Sequence, residues 1–141
     1  RCVFSNNTAA AYACLVNGTA YNCLYVGNKI TSNYHASWGK LYNCTFANNV
    51  GTAMSGLSEC KNVLAFGNTV DFQLDSASYT YCQYKTAKSQ YNQDIVLTGV
   101  GCKQIADPKF ADADDLHPYG CGLKKRSPAR PWVLKLWYPA V

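Results

Sequence analysis

The sequence contains no apolar run of the roughly 18 residues that a membrane-spanning helix requires. No Cys-x-x-Cys pair or Cys/His cluster suits a zinc ion, and no phosphate-binding loop, dinucleotide fingerprint or Ser-His-Asp order occurs. Basic and aromatic residues are not interleaved in any recognisable nucleic-acid-binding motif. These absences argue against a membrane helix, a zinc module, a nucleotide-dependent enzyme and a nucleic-acid partner.

A sustained 3.6-residue apolar period is missing too, although 48% of the residues are hydrophobic. Asn, Tyr, Thr, Ser and Gly are abundant, which disfavours helices. A longer period takes the place of the helical one. It recurs every 19 to 21 residues at what we define as the reference position of each repeat: Cys2, Cys23, Cys44, Val63, Cys82, Cys102 and Cys121.

The residues around each reference position also repeat in phase. Two places later stand Phe4, Tyr25, Phe46, Ala65 and Tyr84; five places later stand Asn7, Asn28, Asn49 and Asn68; just before stand Asn22, Asn43 and Asn62. A unit of this size cannot bury its apolar side alone, so it must stack on its neighbours. The pattern predicts an all-β, right-handed parallel β-helix of about six coils over residues 1–130, with 131–141 as an apolar tail or cap. A β-sandwich, the main alternative, gives no reason for the constant phase.

Asparagine and cysteine suit such a stack for different reasons. Asparagine tolerates left-handed backbone angles, and its amide can bond to the next asparagine along a column. Free cysteine is a small residue that is commonly buried, so a column of inward-facing thiols is expected. Coil spacing does not exclude a disulfide, although parallel side chains disfavour one. Cys60 falls in phase with Ala20, Leu41 and Tyr79, which predicts that it is buried too.

The segment Asn43-Cys-Thr-Phe-Ala-Asn-Asn49 and its copies resemble the Phe-x-x-Asn units of polymorphic outer-membrane proteins and related pectate-lyase-like chains. The segments Gly101-Cys-Lys-Gln-Ile-Ala-Asp-Pro-Lys-Phe110 and Leu123-Lys-Lys-Arg-Ser-Pro-Ala129 resemble the last coils of such proteins. The resemblance implies a secreted or cell-surface protein of bacterial type. Because Arg1 opens directly on a strand, we expect a C-terminal piece whose N-terminal coils belong to the same protein.

Two functions are compatible with this resemblance. The first is binding of, or action on, polysaccharide or a cell-surface glycan. If the full-length protein is an enzyme, we expect a polysaccharide lyase or a glycoside hydrolase. The second is a structural or adhesive stalk without catalysis. The fold alone does not separate them, because it hosts many functions. An outer row of acidic and basic residues beside a Trp or Tyr groove would favour the first, and a featureless polar exterior the second.

Candidate catalytic residues lie twelve places after the reference positions, at Asp75, Asp94 and Asp114. If the coils stay in phase, these carboxylates share one outer edge, where they could bind Ca²⁺ or divide acid and base roles. No other cofactor is expected. Aspartate also favours turns for backbone reasons alone. His35 and Trp38 are candidate binding residues, although His35 has no partner at catalytic spacing.

Residues one and three places after each reference position should face outward. In the first four coils they are unusually apolar: Val3, Leu24, Thr45, Leu64, Ser5, Val26, Ala47 and Phe66. Because large apolar patches are rarely left in solvent, these side chains predict that the outer surface is covered. The cover could be a loop, another domain, a partner, or the tail around Trp132 and Trp137. The basic residues near the C-terminus form either a solvated rim or a face for acidic polysaccharide: Lys124, Lys125, Arg126, Arg130 and Lys135.

Overall fold

The computed structural model describes residues 2–9, 16–31, 37–73 and 77–108, and within these ranges the regular elements are all β-strands. In chain order the strands are β1 (Val3–Ser5), β2 (Thr8–Ala9), β3 (Val16–Tyr21), β4 (Leu24–Val26), β5 (Lys29–Ile30), β6 (Ser37–Tyr42), β7 (Thr45–Ala47), β8 (Thr52–Met54), β9 (Leu57–Lys61), β10 (Leu64–Phe66), β11 (Val70–Gln73), β12 (Ser78–Thr80), β13 (Gln83–Tyr84), β14 (Ala87–Lys88) and β15 (Lys103–Gln104).

The strands form three sides of a solenoid. One side is a six-stranded sheet in the order β1-β4-β7-β10-β13-β15, and a second is a four-stranded sheet in the order β12-β9-β6-β3. The third side consists of the pair β2-β5 and the sheet β14-β11-β8. Every pairing between these strands is parallel, and each of the first four coils contributes one strand to each side. The predicted parallel β-helix is confirmed.

The number of complete coils is smaller than predicted. Four turns have all three strands (β1–β3, β4–β6, β7–β9 and β10–β12) against an expectation of about six coils. The fifth has only β13 and β14, because the chain turns after β14 and Asp94 makes an antiparallel bridge to Lys88. In the described residues the sixth is represented by β15 alone. Residues 109–141, including Cys121 and the predicted tail, lie outside the described residues.

The predicted register of the cysteines is confirmed along the six-stranded sheet. The residues that follow the reference positions pair in sequence: Val3 with Leu24, Leu24 with Thr45, Thr45 with Leu64, Leu64 with Gln83 and Gln83 with Lys103. Val63 therefore occupies a cysteine position, and it is buried as Cys44 and Cys82 are. The six described cysteines are free thiols, whereas Cys14 and Cys121 lie outside the described residues.

Inside the coil, aromatic rings stack between successive coils. The Phe4 and Tyr25 rings are 4.8 Å apart between centroids, and those of Tyr25 and Phe46 are 4.5 Å apart, with interplanar angles of 3° and 12°. Ala65 interrupts this column, and further on the Tyr84 ring meets Phe72 edge-on at 5.9 Å. Both arrangements are favourable for aromatic pairs. The second predicted core row is confirmed, since strand pairing aligns four buried residues: Ala20, Leu41, Cys60 and Tyr79.

The asparagine five places after each reference position forms a hydrogen-bonded ladder. Asn7 Nδ2 donates to Asn28 Oδ1 at 3.0 Å, Asn28 Nδ2 to Asn49 Oδ1 at 3.0 Å, and Asn49 Nδ2 to Asn68 Oδ1 at 2.7 Å. The backbone N–H groups of Asn7, Asn28 and Asn49 donate to the same oxygens. The buried amide oxygens of Asn28, Asn49 and Asn68 therefore each accept two hydrogen bonds, which satisfies them without water.

Left-handed backbone angles occur at two other columns and not in this ladder. The first contains Asn6, Gly27, Asn48 and Gly67, and the second contains Asn22, Asn43, Asn62 and Tyr81, all with φ between 51° and 72°. The sequence predicts both the left-handed backbone angle and the ladder for asparagine, without assigning them to separate positions. The structure divides them between neighbouring positions of the turn.

The outer face of the six-stranded sheet is covered over its middle coils, as predicted. Leu24, Val26, Ala47 and Leu64 are at most 2% exposed, although none of them belongs to the interior cluster. At the first coil the prediction is wrong, because Val3 is 42% exposed and Ser5 is also exposed. Val3 lies on the edge strand β1, so the cover does not extend over that end.

Candidate functional site

The four-stranded sheet presents an exposed face with two columns of polar and aromatic side chains. Because side chains alternate along a strand, residues flanking the buried row of Ala20, Leu41 and Cys60 point outward. Strand pairing aligns the first column as Thr19, Lys40, Glu59 and Ser78, and the second as Tyr21, Tyr42, Lys61 and Thr80. Successive coils in these columns are about 4.8 Å apart. The two columns form what we call the tyrosine face.

Two tyrosines stack at one end of this face. The rings of Tyr21 and Tyr42 lie 4.9 Å apart between centroids at an interplanar angle of 12°. Tyr21 is 57% exposed, so much of this aromatic surface is open to solvent. An exposed aromatic surface of this kind costs free energy in water and can be covered favourably by an apolar ligand face.

Glu59 connects the two columns of the tyrosine face. The Tyr42 hydroxyl donates to Glu59 Oε2 over 2.6 Å, and Lys40 Nζ lies 3.7 Å from the same oxygen. The hydrogen bond to the Glu59 carboxylate raises the pKa of Tyr42 to about 12, since the bond favours the neutral phenol. The ion pair is half exposed and contributes little stability. Together, the hydrogen bond and the ion pair place a carboxylate, a phenol and an ammonium group close to one another beside the stacked rings.

Only one of the three predicted aspartates lies in the described part of the chain. Asp94 is largely exposed, and its Oδ1 lies 2.7 Å from Lys88 Nζ. Its backbone bridges to Lys88 in antiparallel fashion, so it does not continue a strand of the four-stranded sheet. Asp75 and Asp114 lie outside the described residues, so the row of carboxylates stays a prediction. Among the described residues, no group of three His, Cys, Asp or Glu side chains is placed to hold a metal ion.

Of the two predicted binding residues, only the backbone of Trp38 belongs to the described part of the chain. His35 lies outside the described residues. The backbone of Trp38 belongs to β6, where it pairs with Asn17 two residues before Lys40. Trp38 therefore lies on the strand that supplies Lys40 and Tyr42 to the tyrosine face.

Asp94 also lines a shallow cleft of about 310 Å³ at the last coils. The other lining residues are Lys85, Thr86, Ala87, Ile95, Val96 and Gln104. The Lys85 ammonium group lies 5.3 Å from the centre of the Phe66 ring, and Gln104 Nε2 donates to the Lys85 carbonyl at 2.8 Å. These contacts engage Lys85 and Gln104, and Asp94 is paired with Lys88, so most of the polar side chains that line the cleft already have partners.

Sequence reasoning missed the tyrosine face, although its signal is in the sequence. Its members stand two and four places before the reference positions, and Tyr21 and Tyr42 are separated by one coil of 21 residues. The predicted catalytic residues stand instead twelve places after the reference positions, where the coils do not keep a constant length. Positions close to the reference keep their phase better.

Comparisons of this chain with protein-family models, with curated proteins and with solved structures gave no match. In the described residues, no helix is long and apolar enough to cross a membrane.

Proposed function

We propose that this chain is the β-helix segment of a secreted or cell-surface protein and that it binds polysaccharide on its tyrosine face. The observation that carries the proposal is the exposed Tyr21–Tyr42 stack beside the Lys40–Glu59 ion pair. A sugar ring has an apolar face of C–H groups and an edge of hydroxyl groups. The aromatic stack suits the first, and the charged groups can hydrogen-bond to the second.

The rigid support of the face favours this function. Its side chains project from paired strands of one sheet, and side chains on regular elements are held more precisely than those on loops. Lys61 follows Tyr42 in the same column and Lys40 lies in the other, so two cationic groups adjoin the aromatic stack. The two lysines and one glutamate give this face a slight positive charge, which suits an acidic polymer such as a uronic-acid polysaccharide.

Binding is favoured over cleavage on this face. Glycoside hydrolysis ordinarily uses two carboxyl groups flanking the bond. In the described part of the face, Glu59 supplies the carboxylate, and it already accepts a hydrogen bond from Tyr42 and faces Lys40. We therefore assign the face to recognition.

The test is a binding titration of the full chain with neutral and uronic-acid polysaccharides. Tyr21→Ala removes the exposed ring without touching the interior, and we expect it to weaken binding about tenfold, the effect of 1.4 kcal/mol. Tyr91→Ala is the matched control, because Tyr91 is 77% exposed and belongs to the turn after β14. Equal affinity of the Tyr21→Ala variant and the wild-type chain contradicts the proposal, as does a wild-type chain that binds none of the polymers.

A structural stalk is the second candidate function. The asparagine ladder favours it, because Asn7, Asn28, Asn49 and Asn68 tie four coils together along the solenoid axis with no ligand involved. A chain that is folded by circular dichroism yet binds no polysaccharide would support this second candidate.

A further inference from the structure

The cysteines of the fifth and sixth coils, Cys82 and Cys102, lie in contact across neighbouring coils. Strand pairing aligns the residues that follow them, Gln83 and Lys103, and the Lys103 N–H donates to the Cys82 carbonyl at 2.9 Å. Cys102 packs against the interior cluster that contains Cys82, and the two thiols are hydrogen-bonded to each other. Neighbouring coils are about 4.8 Å apart. This spacing falls within the Cα separation of about 4.4 to 6.8 Å that a disulfide spans.

Spacing alone does not select this pair, because Cys23 and Cys44 stand in the same relation one end of the solenoid away. Their thiols donate to the backbone carbonyls two residues earlier, at 3.2 Å for Cys23 and 3.4 Å for Cys44. Cys82 makes the corresponding contact at a longer 3.6 Å. The contact between side chains therefore distinguishes Cys82 and Cys102.

The backbone around Cys102 is less constrained than that around Cys44 and Cys82. Its N–H donates to the Gly99 carbonyl at 3.1 Å, so Cys102 follows a tight turn, whereas Cys44 and Cys82 follow strands β6 and β12. A Cβ placed on Gly99 would lie 3.0 Å from Cys102 Sγ, so the missing side chain leaves space beside this sulfur. A local shift of the turn can bring the two sulfurs into bonding geometry, which parallel side chains between two strands resist.

Access to solvent makes Cys102 the first thiol of the group to react. It is partly exposed, whereas Cys82 is completely buried. Cys60, whose carbonyl accepts a hydrogen bond from Cys82 Sγ at 3.5 Å, is completely buried as well. A small oxidant in solution therefore meets Cys102 first, and Cys82 is the thiol in contact with it.

We propose that Cys82 and Cys102 form a disulfide between the fifth and sixth coils when the chain meets a small disulfide oxidant. The Cys102 thiolate attacks the oxidant, forms a mixed disulfide and releases one thiolate. The Cys82 thiolate then attacks the Cys102 sulfur and releases the second. The two protein thiols lose two protons and two electrons, and the oxidant is reduced to two thiols.

This exchange is slow near neutral pH. The hydrogen bond with Cys82, followed by burial, raises the pKa of Cys102 above its ordinary value. The thiolate is the reactive form, so only a small fraction of Cys102 is ready to attack at any moment.

The disulfide ties down the least regular part of the described solenoid. Residues 89–102, between β14 and β15, contain no strand. Contacts from this segment to the preceding coil include the Val100 carbonyl, which accepts the Tyr81 N–H at 2.7 Å, and the Leu97 N–H, which donates to the Tyr84 hydroxyl at 2.9 Å. Closing the loop covalently reduces the conformational freedom of the unfolded chain. The inference does not rest on the proposed function, since the tyrosine face belongs to a different side of the solenoid.

The test is incubation of the reduced full chain with oxidised glutathione at about pH 8. An acid quench, alkylation of the remaining thiols in urea and trypsin digestion without reduction follow. Cys82 is the one cysteine of the tryptic peptide 62–85, and Cys102 is the one cysteine of 89–103. We expect these peptides joined, with a mass lower than their sum by two hydrogen atoms.

Three outcomes overturn the proposal. The first is an alkylated Cys82 after prolonged incubation, and the second is a mixed disulfide of glutathione with Cys102 that does not resolve. The third is peptide 62–85 joined to another partner, such as 41–61, which contains Cys60.

Two variants separate this pair from general oxidation of the chain. Cys102→Ser should leave Cys82 reduced, because the buried thiol has lost the partner through which the oxidant reaches it. Cys44→Val is the matched control, since it removes another cysteine of the same column and should leave the product and its rate unchanged. Oxidation of Cys82 at the wild-type rate in the Cys102→Ser variant contradicts the proposed order of reaction.

Urea unfolding of the reduced and oxidised forms tests the structural consequence. Oxidation should raise the urea midpoint of the wild-type chain and leave that of the Cys102→Ser variant unchanged, because the cross-link acts on the unfolded chain. An oxidised wild-type chain with an equal or lower midpoint would show that the disulfide does not tie down this end of the solenoid.

Discussion

Asn68 donates its side-chain amide to Asp71 Oδ1 over 2.7 Å, and this contact ends the asparagine ladder. In the next coil the ladder position is held by Ala87, which has no amide to offer. Asp71 takes over from within the fourth coil. It is completely buried, and its other oxygen, Oδ2, accepts the backbone N–H groups of Lys85 at 2.8 Å and Thr86 at 2.9 Å. A carboxylate suits this site because every group that faces it is a donor.

The first prediction follows from that arrangement. Asp71→Asn replaces one acceptor oxygen with an NH₂ group, which must then face either the Asn68 amide or the backbone donors of Lys85 and Thr86. Neither orientation satisfies all donors, so we expect a loss of about 3 kcal/mol in the free energy of unfolding. Urea denaturation followed by circular dichroism measures it.

Asp94→Asn is the control for the same chemical change at an exposed carboxylate. The free energy of unfolding of this variant should fall by less than about 0.5 kcal/mol, as is usual for surface substitutions. If the two variants lose the same stability, Asp71 does not have the role assigned to it at the end of the ladder.

Tyr81 gives the second prediction. It has a φ of 53° in a column whose other members, Asn22, Asn43 and Asn62, have almost the same angle. Asparagine tolerates this left-handed conformation better than tyrosine does. In addition, Asn43 Nδ2 donates to Asn22 Oδ1 at 3.2 Å and Asn62 Nδ2 to Asn43 Oδ1 at 3.1 Å, so an asparagine at position 81 would extend this outer ladder.

We therefore expect Tyr81→Asn to raise the free energy of unfolding by about 1 kcal/mol. The measurement is the urea midpoint at constant slope. Tyr91→Asn, at an exposed tyrosine outside the left-handed column, should leave the midpoint unchanged. A lower midpoint for Tyr81→Asn would mean that contacts of the tyrosine ring outweigh the backbone strain.

The repeating parts of the fold were predictable because each coil places the same residue types in the same surroundings. Val63 differs in chemistry from Cys23 and Cys44, yet the phase that it shares with them predicts one inward column. The burial of Cys60 followed from the same reasoning. The outward, covered column was also predicted, since apolar side chains at outward positions in several coils require a cover.

The departures from the repeat could not be predicted, because a single sequence gives no second example of them. Asp71 stands at a different position of the coil from the ladder asparagines, and it accepts the hydrogen bond that the next ladder amide would accept. The antiparallel bridge of Asp94 to Lys88 ends the regular part of the fifth coil. The position twelve residues after the reference crosses the variable connections of the coil, so phase alone did not place Asp94. Tyr42 and Glu59 are 17 residues apart, less than one coil, and their contact crosses between columns.

Cys44 gives a prediction about alkaline pH. Burial, the largest cause, raises the pKa of its thiol from 9.0 to about 11, although backbone hydrogen bonds partly oppose this. An acid whose folded pKa is raised contributes stability below its unfolded pKa and loses it as the pH rises to its folded pKa. Stability should therefore fall between pH 9 and pH 11, with up to about 3 kcal/mol from this thiol.

Cys44→Val tests the thiol with a residue that the same column already contains at Val63. At pH 7 the variant should unfold within about 1 kcal/mol of the wild-type chain, since the change nearly conserves volume. Between pH 9 and pH 11 it should lose less stability than the wild-type chain. Parallel pH profiles for the two chains would show that ionisation of Cys44 has no part in the alkaline loss.

The last prediction concerns the tyrosine face in the absence of ligand. The hydrogen bond to Glu59 raises the pKa of Tyr42 to about 12, because the carboxylate accepts a proton that the phenolate no longer has. Glu59→Gln removes the negative charge and should lower the pKa of Tyr42 towards 10.0. NMR of ring-labelled tyrosine can follow this ionisation, with Tyr42→Phe assigning the signal among the 11 tyrosines. Asp94→Asn, on another part of the solenoid, should leave the Tyr42 titration unchanged. If Glu59→Gln also leaves it unchanged, Tyr42 and Glu59 are not hydrogen-bonded in solution. The arrangement of carboxylate, phenol and ammonium groups, on which the proposed recognition of a sugar edge relies, would then not exist in solution.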